Sequence, residues 1–377
     1  MTRVLLVHQP IDGGVARHIS DLFDGLTARG HEAVLCGPAL PSASSLERSE
    51  TAGAPHVTLD MQRSIVPHAD LRALGRFARI VSRVRPDVIH AHSSKAGAIA
   101  RLGKLLHPRT PVLYTPHGYA FNGYFEREAE RNLYRQAERA LAPLHRFALT
   151  VCEAEARLAR SVGSPSRVRV VHNGIAEPPA RPADPRMLEL GRSGTTVICT
   201  LTQLRPGKGV ETLIEAFSRV AAEHPEARLA IAGDGPLRGD LEQRARAGGV
   251  GDAVAFLGEV PEPIPVLRGA DVFVLPSWAE SFPYVILEAM SVGLAIAATD
   301  VGGVGEAITD GHSGLLFAAR DAEATAAALR RLLTGERLRR ELGEAARWRE
   351  RNMFSKDTMV DGVIGVYEEA LCGNRPA

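Results

Sequence analysis

Glu280 and Glu288 stand eight residues apart in ESFPYVILEAMSVGLAIAATDVGGVGEAI, residues 280 to 308, directly after the apolar run VFVLP. With a helix beginning near Phe282, Glu288 falls in its second turn and Glu280 in the loop before it, so both carboxylates reach a ligand outside a strand's carboxyl end. An ionised carboxylate there accepts hydroxyl hydrogens, and its burial is offset only when such donors are present. Between strand and helix, Ser281, Phe282 and Pro283 leave backbone N–H groups for hydroxyl or phosphate groups, with Phe282 locking the loop against the sheet. A glutamate pair alone is weak evidence, because solvated helical glutamates are common.

A cationic counterpart lies upstream. TLTQLRPGKGVETLIEAF, residues 200 to 217, places Arg205 and Lys208 between an expected strand and an expected helix. The GxxxxGK-Ser/Thr pattern of a Walker loop is absent, which argues against ATP hydrolysis of that type. Only 4 of the 45 basic residues are lysines, so Lys208 stands out in an arginine-biased chain. An ammonium there is either a ligand for an anionic group such as phosphate or a solvated loop charge. Gly302 and Gly303, followed by Glu306, lack the Cβ atoms that hold a backbone away from an anion, and a helix start after them adds partial positive charge. Gly13 and Gly14, between the first strand and the helix expected from Val15, repeat that arrangement; without a third spaced glycine they match a nicotinamide fingerprint poorly. Asp234 in AGDGP is explained equally by an Asx turn and is given no catalytic role. His117, in TPHGYAF, sits at the carboxyl end of VLYT, where α/β sheets place ligands.

Such residues need strands to hold them. Apolar runs at 4 to 8, 33 to 36, 88 to 92, 112 to 115, 147 to 152 and 168 to 172 alternate with helix-period stretches, which reads as a parallel sheet covered on both faces. A second alternation starts at VICTL, residues 197 to 201, and continues through LAIAG, VAFLG, VFVLP and LAIAAT. The Pro-rich AEPPARPADPRMLELGR between them discourages regular structure and reads as a linker. The expected division is an N-terminal domain over 1–175, a linker over 176–195 and a second domain over 196–350. A helical tail over 351–377 is expected to pack back on the first domain through Val360, Val363, Ile364, Val366 and Tyr367. A length of 377 residues suits two domains. With 45% hydrophobic and 24% charged residues the chain is not disordered, collagenous or coiled coil, and a net charge of +1 names no partner. Four scattered cysteines make neither a disulfide scaffold nor a zinc site and point to the reducing cytoplasm. No apolar run approaches the roughly 20 residues of a membrane span, and MTRVLLVHQP carries no signal segment, so any membrane contact is expected to be peripheral.

GGVARHI near the start, TPHGYAF, HNG before the linker, PGKG, AGDGP and the 280 to 308 segment with VGGVGE together resemble the GT-B retaining glycosyltransferases of family 4, over nearly the whole chain. The resemblance implies an α/β chain of GT-B fold, in which two Rossmann-like parallel-sheet domains face across a cleft that encloses a nucleotide sugar and closes on it. It implies that Glu280 contacts the hydroxyls of the transferred sugar or the diphosphate, that Glu288 receives the ribose hydroxyls, and that the Lys208 loop holds the diphosphate. Arg205, Ser281, Phe282, Pro283, Gly302 and Gly303 join these on the donor side, with Gly13 and Gly14 from the other domain. His117 is implied to face and orient the donor sugar, which makes His117, Glu280 and Lys208 the expected catalytic set. The chain departs from the family where the pattern has an arginine five residues before the lysine: Gln203 stands there. Either Arg205 reaches the same phosphates from two residues further along, or it is a surface residue and the site has one cation fewer.

The implied reaction moves a glycosyl group from a nucleoside diphosphate sugar, UDP- or GDP-linked, to a hydroxyl acceptor with retention, in polysaccharide, glycolipid or glycosylated-metabolite synthesis. Retaining hydrolases use a carboxylate nucleophile on the opposite face of the sugar, and no residue here is compelling for that part. The expected path is therefore same-face substitution through a short-lived oxocarbenium-like ion pair, with the departing phosphate taking the acceptor proton. There is no DxD sequence, so neither an essential metal nor a cofactor beyond the donor is expected. Residues 61 to 110 carry ten Arg or Lys against two Asp, a net of +8. Arg63, Arg72, Arg76, Arg79, Arg83 and Arg85 are either ordinary solvated charges or a surface for anionic headgroups or a lipid-linked acceptor at the inner face of the cytoplasmic membrane. Lys95, in HAHSSKAGAIARL, and Arg17, in GGVARHI, are placed on the acceptor side. Nucleic acid is not expected, because no aromatic interleaving accompanies the charge. Two other classes stay open: a non-catalytic nucleotide-sugar-binding partner protein, which Gln203 keeps alive, and a non-hydrolysing nucleotide-sugar epimerase.

Overall fold

The computed structural model describes the chain apart from Pro10, residues 41–53, Arg63, residues 123–126, Ser193 and residues 373–377. It divides into two compact units, Met1–Asn173 with Lys356–Ala377, and Gly174–Ser355.

In the first unit the strands are β1 (Arg3–His8), β2 (Glu32–Gly37), β3 (His56–Thr58), β4 (Val88–His92), β5 (Val112–Thr115), β6 (Phe147–Thr150) and β7 (Val168–Val170). They pair in parallel in the order β3-β2-β1-β4-β5-β6-β7. The apolar runs are near-continuous because helices cover both faces. One face packs on the helix Gly13–Ala28 through Ile19, Leu22 and Leu26, and the other on the helix Pro67–Val84 through Ala73, Phe77 and Ile80. The helix Lys356–Cys372 joins the first of these layers with Val363, Val366, Tyr367 and Ala370. Its approach to Gly13–Ala28 requires a bare Cα at Gly25, where a Cβ would lie 2.4 Å from Cγ2 of Val360.

The second unit holds β8 (Thr196–Leu201), β9 (Ala227–Ala232), β10 (Val254–Gly258), β11 (Val272–Leu275), β12 (Ala295–Thr299) and β13 (Leu315–Phe317), parallel in the order β10-β9-β8-β11-β12-β13. Its core runs through Leu213, Phe217, Ile231, Val274 and Leu329. Strand order reverses direction between β1 and β4 in one sheet and between β8 and β11 in the other. Loops leaving the carboxyl ends of such strands splay apart and open a crevice, the usual ligand position in this architecture.

Two expectations about connections need correction. The stretch 176–195 contains a helix, Pro185–Leu190, with Met187 fully buried. Proline is accepted in a first helical turn, and the Asp184 side chain caps that turn by accepting the Arg186 N–H. At the other end, the helix Glu336–Met353 carries the second unit past residue 351, and the chain returns to the first unit at Lys356.

Candidate functional site

At the direction change of the second sheet, the loop after β8 carries Lys208 and the loop after β11 carries Glu280. The Lys208 Nζ donates to Oε1 of Glu280 at 2.6 Å, with the side chains 17% and 14% exposed. Both loops are pressed together. The Trp278 backbone N–H donates to the Gly207 carbonyl at 2.9 Å. Gly209, at φ +68°, allows a contact in which a Cβ would lie 1.9 Å from the Pro276 carbonyl oxygen. The Arg320 guanidinium lies over the Trp278 ring at 4.1 Å and closes the outer side.

Arg205 is exposed and its Nε donates to Oε1 of Gln203 at 3.2 Å, so the residue at the departing position orients the Arg205 guanidinium. Asp234 accepts from the Gly235 N–H and from Arg238, which agrees with a turn.

The helix after Glu280 is Tyr284–Ser291, capped at Pro283, so it begins two residues later than expected. Glu288 remains in its second turn and is half-buried. Ser281 is half-buried too, while Phe282 is buried, its ring 5.3 Å from that of Phe354. Phe282 therefore locks the loop, though against the end of the helix Glu336–Met353 rather than against the sheet alone. The glycine turn also departs from expectation. Gly302, at φ +56°, admits the Glu280 backbone so closely that a Cβ would sit 1.7 Å from its carbonyl oxygen, and the Gly303 N–H donates to the Ser281 carbonyl at 2.7 Å. These glycines hold the Glu280 loop, and the N–H of Gly303 is already committed. The helix that follows, Val304–Ala307, has four residues, too few for a substantial dipole.

In the first unit, Gly13 and Gly14 are exposed at the start of the helix Gly13–Ala28, and Gly13 has φ +76° with nothing near its Cβ position. Glycine is needed there for backbone conformation, not for space. Arg17 donates to Asp21 at 2.7 Å. Lys95 gives two hydrogen bonds to the Asp70 carboxylate, at 2.8 and 2.9 Å, and its side chain is 8% exposed. An anionic acceptor at Lys95 would therefore have to compete with the Asp70 carboxylate. Arg72, Arg76, Arg79, Arg83 and Arg85 are exposed along and just beyond the helix Pro67–Val84, whose apolar face is buried. Arg63 lies outside the described residues. Among the described residues no helix is long and apolar enough to cross a membrane.

His117 occupies the turn after β5 at φ +52°, a conformation uncommon outside glycine. The Gly118 N–H beside it is held by the buried carboxylate of Glu155. Two further histidines contact it and a third, His90, stands behind His92, a row that His117 alone did not reveal. His92 Nδ1 lies 3.1 Å from His117 Nε2. His18 meets the His117 ring edge-on at 4.7 Å, with its Nδ1 3.0 Å from Oδ1 of Asn173. His90 is satisfied on both nitrogens, by Tyr367 Oη at 2.7 Å and Thr115 Oγ1 at 2.8 Å. The signal was present: HAH puts His90 and His92 on one face of an otherwise apolar strand, where polar side chains must find partners. Burial pushes His18 down to about 4 against the opposing Asn173 hydrogen bond, and holds His90, His92 and His117 well below the ordinary histidine value, with neighbouring histidines adding to the shift. The row is neutral at pH 7. Ligand atoms of His18, His92 and His117 lie within 4.8 Å of one another.

Comparison with known proteins gives this geometry a family. Residues 13–174 match the model of the glycosyl transferase 4-like domain, and residues 189–349 match that of glycosyl transferases group 1. Glycogen synthase of Mycobacterium tuberculosis (strain CDC 1551 / Oshkosh) is 29% identical, with 96% of this chain and 92% of that protein covered. Phosphatidyl-myo-inositol mannosyltransferase of Mycobacterium leprae (strain TN) is 30% identical, with 87% and 86% covered. The crystal structure of Anabaena HepE in complex with UDP-glucose shares the fold, with a TM-score of 0.81 at 19% identity and 98% and 100% of the two chains covered. The chain belongs to the glycosyl transferases group 1, the GT4-type family of GT-B fold, and is a glycosyltransferase.

Proposed function

We propose that this glycosyltransferase takes its sugar from a nucleoside diphosphate sugar, UDP- or GDP-linked, and passes it to a hydroxyl with retention of configuration. The observation that carries this reading is the Lys208–Glu280 pair at the direction change of the second sheet. A cation and a carboxylate held together in a half-buried crevice suit a ligand with an anionic end and a hydroxyl-rich end. The diphosphate draws on the ammonium, and the carboxylate is released to accept sugar hydroxyls. Glu288, one helical turn beyond the loop, takes the ribose hydroxyls.

As the bond between the anomeric carbon and the diphosphate oxygen breaks, negative charge grows on that oxygen and Lys208 stabilises it. The acceptor oxygen bonds to the same face of the sugar, and its proton passes to the departing diphosphate. His117, neutral because it is buried, is assigned to the donor sugar and does not add a charge there. In this scheme Lys208, with Arg205 beside it, replaces a divalent metal. The exposed arginines of the helix Pro67–Val84, with Leu71 at 70% and Ile65 at 58% exposure nearby, support an anionic or lipid-linked acceptor and peripheral membrane contact.

Thermal-shift titration with UDP and GDP in the presence of a chelator, followed by NMR of the product anomer, tests the reading. A selective shift that Lys208→Ala removes, and a product with the donor's anomeric configuration, are expected. An inverted product, or nucleotide binding that appears only with magnesium, would overturn it.

A further inference from the structure

We infer that His92 is a positioning residue that fixes His117 as the Nδ1–H tautomer, so that His117 acts as a hydrogen-bond donor and not as a proton acceptor. The inference deepens the proposed function and rests on the assignment of His117 to the donor sugar.

The ring geometry comes first. Nδ1 of His92 and Nε2 of His117 are 3.1 Å apart, while the ring centroids are 5.3 Å apart with the planes 23° from parallel. The centroid separation exceeds the nitrogen separation by about two ring radii, so the rings lie end to end with these nitrogens aimed at one another. A single proton therefore lies between them. The same geometry argues against a metal held jointly by His18, His92 and His117, because the two facing lone pairs do not converge on a third point.

Which ring owns the proton follows from the other nitrogens. Nε2 of His92 is buried and has no hydrogen-bond partner among the described residues. A buried N–H without an acceptor is rarer than a buried acceptor without a donor, so Nε2 carries the lone pair and Nδ1 the proton. His92 then donates to His117, whose Nε2 must hold a lone pair. Burial keeps His117 neutral, so its one proton is on Nδ1, which, unlike Nε2 of His92, is not among the buried atoms without a partner and is open to a ligand or water. Its left-handed backbone, held through Gly118 and Glu155, fixes the ring in line with His92. His90, 4.1 Å away by centroid and satisfied at both nitrogens, backs the His92 ring.

Nδ1–H of His117 is thus the group offered to substrate, suited to an oxygen of the sugar or of the departing diphosphate. It cannot take a proton from the acceptor hydroxyl without first losing its own.

The test compares His92→Asn, His92→Gln and His92→Ala in the full chain. An asparagine amide reaches the place of Nδ1, whereas a glutamine amide reaches that of Nε2, so the two differ in the contact at issue and hardly in polarity. Two-bond 15N–1H correlation spectra of histidine-labelled protein report the His117 tautomer directly. The expected results are an Nδ1–H signature for His117 in the native protein and in His92→Asn, and a mixed tautomer in His92→Gln and His92→Ala. With it, kcat should fall about tenfold in the latter two, with KM little changed. An Nε2–H signature in the native protein, or equal kcat in His92→Asn and His92→Gln, would overturn the inference. Full turnover by His117→Ala beside the expected tautomer would instead remove His117, and with it His92, from the reaction while leaving the hydrogen bond as described.

Discussion

Lys208 Nζ and Glu280 Oε1 are 2.6 Å apart although 72 residues separate them in sequence, and both side chains are largely buried. The pair satisfies two groups that would be costly alone, and in the proposed function a diphosphate and a sugar divide them. Lys208→Ala should lower turnover by about 10²-fold or more. It should also cost about 2 kcal/mol of stability, less than the loss from a fully buried pair. Lys208→Met with Glu280→Gln should recover most of that stability and none of the turnover. Denaturant melts and steady-state rates on the same samples separate the two effects.

Gly302→Ala addresses the Glu280 loop without touching a charge. At φ +56° with the Glu280 carbonyl oxygen 1.7 Å from the new Cβ, the loop must move. A displacement of that kind is expected to lower turnover by about 10²-fold. Gly311→Ala, at φ +70° with open space around it, carries the backbone strain without the clash and should keep turnover near the native rate.

Tyr367→Phe removes the hydroxyl that meets Nδ1 of His90 in the buried row. The loss should be about 1–2 kcal/mol in urea unfolding, since a buried polar atom is left without its partner. An unchanged midpoint would show that the Tyr367 hydroxyl contributes nothing to holding His90.

Acid should destabilise the first unit in a defined window. His18 has a folded value of about 4 against 6.5 unfolded, and burial takes His145 down to about 3, with Arg101 and Arg167 adding to the shift. Between pH 6.5 and 4 the unfolded chain binds protons that the folded chain excludes, so the stability present above pH 6.5 is lost as pH falls, roughly 3 kcal/mol for His18 alone. Glu350, in the second unit and raised to about 7 by burial, has the opposite sign and adds stability to that unit as pH falls from 7 to 4.5. Melting temperatures measured from pH 7.5 to 4.5 should therefore fall, and more steeply in Glu350→Gln.

Strand positions and the loops that carry Lys208 and Glu280 were legible because each depends on a short segment. VICTL and VFVLP mark β8 and β11, and the residues after them are Lys208 and Glu280. The histidine row was not, because His18 in the helix after β1, His92 at the end of β4 and His117 in the turn after β5 meet only when those three strands align. Side-chain pairing choices were equally hidden. Lys95 selects Asp70 from a preceding helix and Arg205 selects Gln203, and periodicity records neither. The helix Pro185–Leu190 was missed because a Pro-rich composition masks a proline that occupies a permitted position.

The helix Lys356–Cys372 has a consequence for synthesis on the ribosome. Residues 1–173 emerge first, yet they lack the layer that Val363, Val366 and Tyr367 provide until residue 372 has left the exit tunnel. The intervening segment, Gly174–Ser355, has its whole core in hand earlier. The order of completion is thus the reverse of the order of translation, and a nascent chain stalled near residue 350 would expose the helix Gly13–Ala28 along the side that Val360 covers in the finished protein.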